Sequence, residues 1–394
     1  MFSLDNKDFS KNPYPYLKDL RLNDPIHLTA DGVILLTRYN DVAKCLKVQS
    51  YPHQIKSFDN GIVHAILDID PPNHTKLRRF VAPMFTHSAI QELSGSINMT
   101  IDKYISKALD KEEVDIVNDI ALPITFDTLS SMLGINSNDY EQAKKWAVEI
   151  FSLMQPISNL ENRKRGSENR KRGIKITKEF FIYMTNSIFS KNQIKDGSII
   201  SFLKNQEIDN VKLTPEELVS TMAIIYIAGF ETTVNSITNS LYNLVGKEEE
   251  VYKITNNHYR DSEIADELLR HTTTIQMIIR KSLKDQVIKS KNDSKIIQKD
   301  QLIILHLGSA NRDEDIFSNA ENINIGRHNA NRHLAFAAGA HYCLGATLAR
   351  MQIEKIVKGF LSKVKNLELV EEPILRDNLS LRAYDHLYMR YNII

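Results

Sequence analysis

Apolar residues recur at helical spacing along most of this chain, as in amphipathic helices that share one core. The segment 213–245 opens with Leu213, Thr214, Pro215, Glu216 and Glu217. Its upstream part is apolar nearly all round, which predicts a long helix buried on most faces. A stripe of Leu344, Leu348, Ile353, Ile356, Val357, Phe360 and Leu361 predicts a helix starting just after Cys343. Residues 70–79 read as a capped helix start, with Asp70 as cap and Pro71 in the first turn. A further helix, opened by Asp261 or Ser262, carries Glu267 and Arg270. Strand signals fall at three places: 33–37 (VILLT), 302–307 (LIILHL), and a hairpin. The hairpin joins Val287 and Ile288 to Ile296 and Ile297 through a polar turn, Lys291 to Ser294. The predicted fold class is mainly α with a smaller, peripheral β region.

Composition narrows the function classes. Among 394 residues, 14 Gly and 11 Pro leave few turns. Hydrophobic residues at 42% and charged residues at 25% describe a soluble globular chain, not a disordered one. It is long enough for a large core. Lys and Arg number 50 against 49 Asp and Glu, so bulk attraction to nucleic acid is excluded as a theme. The two cysteines, Cys45 and Cys343, rule out a disulfide framework and suit a reducing compartment. Residues 1–16 hold no apolar core of a signal peptide. The longest apolar run, 222–230, is too short for a bilayer and is closed by Glu231. A cytoplasmic protein without a membrane anchor is expected. The hexapeptide ENRKRG occurs at 161–166 and again at 168–173. It reads as a solvated helix or loop with a short duplication, or as a basic patch for an acidic partner.

The sharpest chemistry lies in 336–350, FAAGAHYCLGATLAR. Read as F-x-x-G-x-H/R-x-C-x-G, it has a chance of about 1 in 10,000 of arising at average residue usage. A cysteine at a helix N-terminus meets free N–H groups and a positive dipole end, which favour the thiolate. Gly339 and Gly345 let the backbone pass close to a flat group beside the sulfur. A buried apolar cysteine and a catalytic nucleophile are the alternatives. Zinc is disfavoured, because no second cysteine lies nearby.

This segment resembles the haem-binding loop of the cytochrome P450 family, the haem-thiolate monooxygenases, which supply the usual example of thiolate-ligated haem. The resemblance implies one domain over residues 1–394, haem b as cofactor, and Cys343 as the metal ligand. Phe336 and Gly345 would flank the cofactor, and His341 matches a position that contacts a haem propionate. Ala337 stands where the family often has glycine. His74 and Arg78, at i and i+4, suit carboxylates as two cationic donors on one face. Resemblance assigns both to propionates, and Arg280 with them. Glu267 and Arg270 resemble the family's structural E-x-x-R pair, and Arg327 its third member. Thr273 and Thr274 replace the proline pair often found between these motifs.

The run Ala228, Gly229, Phe230, Glu231, Thr232, Thr233 resembles the A-G-x-E-T-T oxygen-binding signature. Gly229 costs about 1 kcal/mol in a helix interior relative to Ala, and its benefit would be clearance for a large cofactor. Glu231 and Thr232 would be the catalytic pair, routing protons to dioxygen. By family position the substrate contacts would be Ile62, Val63, Ile66, Tyr226, Thr274, Ile275, Gln276, Met277 and Tyr384. The implied reaction inserts one oxygen atom from O2 into a small, largely apolar molecule. No flavin, nicotinamide or iron–sulfur motif is present. A ferredoxin or flavodoxin-type donor with its reductase is therefore expected, docking on Lys76, Arg79, Lys355 and Lys358. A peroxide-driven peroxygenase and a non-catalytic haem-thiolate sensor are the alternative functions.

Overall fold

The structure is a computed structural model. It describes residues 7–48, 66–67, 69–135, 140–152, 160–189, 194, 196–291 and 293–394. Its centre is the helix Pro215–Leu244. Thr214 accepts the Glu217 N–H at 3.1 Å, and Glu217 accepts the Thr214 N–H at 3.0 Å. This reciprocal cap, with Pro215 in the first turn, fixes where the helix begins. Leu218, Met222, Phe230, Val234, Ile237 and Leu241 join the main core. That core also takes the apolar faces of Leu122–Leu133 and Ala346–Leu361. Among the described residues Pro215–Leu244 is the one helix long and apolar enough to cross a membrane, and 72% of its apolar window is buried inside the protein.

The β region is peripheral, as the pattern predicts. Four strands order as Ile26–Leu28, Ile34–Leu36, Leu302–His306 and Met277–Lys281. Ile34 pairs in parallel with Ile303, and Met277 pairs antiparallel with His306. The hairpin Gln286–Ser290 with Asp293–Ile297 sets Val287 opposite Ile296. Its strands reach further into the polar turn than the sequence suggests, because Ser290 pairs with Asp293. A third sheet joins Glu113–Asp115, Tyr388–Ile393 and Val364–Leu369. Those three strands, and Ile26–Leu28 and Met277–Lys281, carry no strong alternation and are not predicted.

Two of three helix starts differ from expectation. The helix expected at Asp70 is Asn73–Val81. Asp70 contributes its carbonyl, which accepts the His74 N–H at 3.1 Å, and its side chain does not cap. The helix Asp261–Thr272 is preceded by Arg260, whose N–H is held by Glu263 at 3.0 Å. That helix therefore opens at Asp261 as expected, with the cap supplied by the residue before it. The helix after the cysteine is Ala346–Leu361, with Gly345 at its N-cap. Cys343 precedes it in a turn.

Candidate active site

The cysteine loop is closed on itself and pinned from below. The Cys343 N–H donates to the Phe336 carbonyl at 3.0 Å. The Arg350 guanidinium lies 4.7 Å from the Phe336 ring centre and donates to Asp266 at 2.6 Å. Asp266 also meets His333 at 3.1 Å. It sits beside Glu267, and no spacing in the sequence marks it. Gly339, at φ +77, touches the helix Tyr39–Lys47: a Cβ there would lie 2.6 Å from the Leu46 carbonyl. Gly339 thus serves loop packing, not close approach to a flat group. A Cβ at Gly345 meets nothing within 4 Å, so open space lies beside the backbone two residues after the cysteine.

The expectation that Cys343 has a lowered pKa needs correction. Burial pushes the thiol above its ordinary value, against the Gly345 N–H, Arg78 and Arg350. With the sulfur outside the helix, the helix end does not overcome desolvation. A cation at the sulfur is what would make it a thiolate.

Leu344 of this loop packs in one cluster with Ile66, Leu77 and Ile224 of the long helix. One turn beyond Ile224, the helix surface changes. Ala228, Gly229 and Thr232 are only partly buried, although Phe230, Glu231 and Thr233 around them are buried. A Cβ on Gly229 would come within 3.1 Å of Leu129 Cδ2. The side-chain space missing at Gly229 is therefore taken by the neighbouring helix Leu122–Leu133, not by clearance for a cofactor, a role its sequence context does not reveal. The Thr232 hydroxyl donates to the Ala228 carbonyl at 2.6 Å.

Glu231, expected to route protons, is closed off from solvent. It is 3% exposed. Its Oε1 accepts Asn235 Nδ2 at 3.0 Å and is ion-paired with Arg376. A buried carboxylate requires such partners, and Arg376 lies too far along the chain for spacing to show it.

The charged end of the site brings together residues far apart in sequence. His74 is 2% exposed and its ring centre lies 4.2 Å from that of His341. Burial first, and neighbouring cations after it, pull each imidazole down to about 4. With no anion beside it, His74 is therefore neutral near pH 7. Arg78 donates to the Tyr342 carbonyl at 2.7 Å. Arg280 is 3% exposed, donates to the Ile279 carbonyl at 3.2 Å, and is drawn down by burial to about 10. Asp70 lies 3.6 Å from His341, with its carboxyl raised by burial.

Behind the loop, Glu267, Arg270 and Arg327 meet as expected. Glu267 and Arg270 are 0% exposed. Arg270 makes two bonds of 2.8 Å to Glu267, and Arg327 Nε approaches it at 3.0 Å. Arg270 also reaches the carbonyls of Asn311 and Ala320, at 2.9 and 2.8 Å.

The expected substrate contacts divide. Ile62 and Val63 lie outside the described residues. Ile66, Thr274 and Ile275 stay near the long helix, with Thr274 bonded to Ser236 at 2.8 Å. Met277 packs instead with Phe9, Leu17 and Leu20. Gln276 is buried against Gly308. Tyr226 stacks on Phe230 at 6.0 Å, and Tyr384 packs 5.5 Å from Tyr242. These four side chains are core components. Strand pairing at Met277 turns its side chain away from the helix, which sequence position alone does not reveal.

The docking cations also change. Lys76 pairs with Glu217, Arg79 with Asp209 and Lys358 with Asp261, while Lys355 bonds Asn98.

Open space at Gly345, the partly bared strip at Ala228, Gly229 and Thr232, and paired arginines fit a flat anionic group, and the donor set is that of a haem-thiolate oxidoreductase. The family model for cytochrome P450 matches residues 26–258 and 262–379, and the chain belongs to that family. Its members are monooxygenases that bind haem b through a cysteine thiolate. The polyketide biosynthesis cytochrome P450 PksS of Bacillus subtilis is 29% identical, covering 98% of both chains. The biotin biosynthesis cytochrome P450 of the same organism is 29% identical, covering 93% of this chain and 92% of its own. The structure of P450BioI with a hexadec-9Z-enoic acid ligated acyl carrier protein superposes with a TM-score of 0.86 at 26% identity, covering 98% and 99%.

Proposed function

We propose that this chain, as a single domain over residues 1–394, is a cytoplasmic monooxygenase that inserts one oxygen atom from O2 into a small, largely apolar organic substrate. The supporting observation is the seating of the cysteine loop on the long helix, with Leu344 packed against the cluster of Ile224 one turn before the partly buried Ala228, Gly229 and Thr232. Cys343 holds the iron, while Arg78, Arg280, His74 and His341 hold the carboxylates, with Phe336 and Gly345 flanking. Haem bound through a thiolate supplies the chemistry that favours O–O cleavage. Thr232 positions a proton donor at the strip, and Glu231 replenishes it. Ile66, Thr274 and Ile275 give the substrate an apolar wall with one hydroxyl. The long apolar acid in the P450BioI structure agrees with that choice of substrate.

Electrons come from a ferredoxin or flavodoxin-type donor with its reductase. A cleft of about 680 Å³ beside the cysteine loop is lined by Tyr39, Lys44, Lys47, Arg332 and Tyr342. Lys44, Lys47 and Arg332 form no ion pair among the described residues. They replace Lys76, Arg79, Lys355 and Lys358 as the surface for an acidic donor.

The test is the spectrum of the reduced, carbon-monoxide-bound protein, followed by turnover with a surrogate ferredoxin system. Cys343→Ser loses the red-shifted band and Cys45→Ser keeps it. The reverse result overturns the ligand assignment. Turnover with peroxide but not with electrons and O2 makes the protein a peroxygenase. No turnover by either route leaves a haem-thiolate sensor.

A further inference from the structure

We infer that Arg376 is a positioning residue for the proton-donating carboxylate of Glu231, a proposal that rests on the role given to Glu231 above. The ion pair is nearly dry, with side-chain exposures of 16% for Arg376 and 4% for Glu231. A guanidinium stays protonated in proteins, so Arg376 cannot hand on a proton. Its effect is to fix the carboxylate. Arg376 and Asn235 both bond to Oε1, which leaves Oε2 as the oxygen to take up a proton and pass it on. Asn235 also donates to the Glu231 carbonyl at 2.7 Å, so the carboxylate is braced from its own helix and from outside it.

The outside brace is itself anchored at the pocket. Arg376 starts an excursion of the chain whose sides are joined by the Arg376 N–H to the Ala383 carbonyl at 2.8 Å. The tip of the excursion is sewn to residues 274–276, just before the strand Met277–Lys281. Gln276 N–H donates to the Ser380 carbonyl at 2.8 Å, and Arg382 N–H to the Thr274 carbonyl at 3.0 Å. Asp385, 65% exposed, accepts Arg376 Nε at 2.8 Å and draws the other side of the guanidinium toward solvent. The geometry thus ties the orientation of Glu231 to the backbone that borders Thr274.

The experiment uses the haem-loaded enzyme with Arg376→Gln, Arg376→Lys, Glu231→Gln and the double variant. Product and peroxide are counted per electron supplied, and melting is followed in parallel. Arg376→Gln should lower product formation about 10- to 100-fold, as misplacement of a working group does. Haem content, the thiolate spectrum and substrate KM should stay put. Arg376→Lys should recover at least part of the loss. In the Glu231→Gln background, Arg376→Gln should add nothing to the loss of turnover. Arg376→Gln alone should lower Tm by on the order of 5 °C by stranding a buried charge, and Glu231→Gln should restore it. Turnover losses that add in the double variant, or normal turnover in Arg376→Gln, overturn the proposal. Loss in Glu231→Gln with none in Arg376→Gln overturns this inference alone. Normal turnover in Glu231→Gln overturns the role of Glu231 and this inference together, while the melting cycle still reports the ion pair.

Discussion

His74, on the helix Asn73–Val81, and His341, in the cysteine loop, lie ring against ring with centres 4.2 Å apart. Both imidazoles are held neutral near pH 7 by burial. If these residues hold the haem carboxylates as proposed, Arg78 and Arg280 bring fixed charge to them, whereas the imidazoles become charged only as far as a carboxylate beside them raises their pKa. A charged donor contributes about 1.5–3 kcal/mol and a neutral one about 0.5–1.5. Arg280→Ala should therefore speed haem loss about 10- to 100-fold, and His74→Ala less than about 10-fold. Transfer of haem to an acceptor globin measures both. Equal rates for the two variants would remove this division of labour.

Glu267 is buried between two arginines, and either arginine left alone would be an uncompensated interior charge. Glu267→Gln should cost about 3–5 kcal/mol of stability, read by denaturant unfolding. The Cys343 spectrum should survive in whatever fraction remains folded. A loss below 1 kcal/mol would show that the ion pairs are dispensable.

Thr232→Ala should keep haem, substrate affinity and reduction rate, yet divert oxygen consumption into hydrogen peroxide. Loss of a group that positions a proton typically costs about 100-fold or more in the step concerned. Peroxide-driven oxidation should persist, because that route bypasses the step. Product formed per electron decides the matter, and wild-type coupling would reduce Thr232 to a packing residue.

Glu354, beside Asp261 at the junction of two helices, has its carboxyl raised by burial and by that neighbour to about 8. Between pH 4.5 and 8 the folded protein binds a proton that the unfolded chain has released. Stability contributed here therefore falls as pH rises through that window. Glu354→Gln should match wild type below pH 4.5 and exceed it above pH 8. The gain should be on the order of 1 kcal/mol, since the carboxyl is partly solvated. Thermal melts across pH read it directly, and parallel curves would refute the assignment.

The haem-thiolate chemistry is legible in the chain because it is written in contiguous residues. The loop around Cys343, the A-G-x-E-T-T run and the pair Glu267 and Arg270 each occupy a single turn or loop. What stays hidden is set by tertiary pairing. Arg376 reaches Glu231 only because strands fold the C-terminal excursion over the helix. Met277 leaves the pocket because it pairs with His306. Lys76 and Arg79 look like free surface cations until Glu217 and Asp209 come beside them. Short strands such as Glu113–Asp115 escape detection because three residues hold too little alternation to read.

Gly339 lays the cysteine loop directly on the Leu46 carbonyl, backbone against backbone. No rotamer lies between them to relax. The span from the main chain of Tyr39–Lys47 to the cysteine loop is therefore set by backbone contact. Electron tunnelling falls off steeply with distance, so for a donor docked on that helix, as proposed above, this floor would keep one main-chain gap whichever molecule fills the pocket.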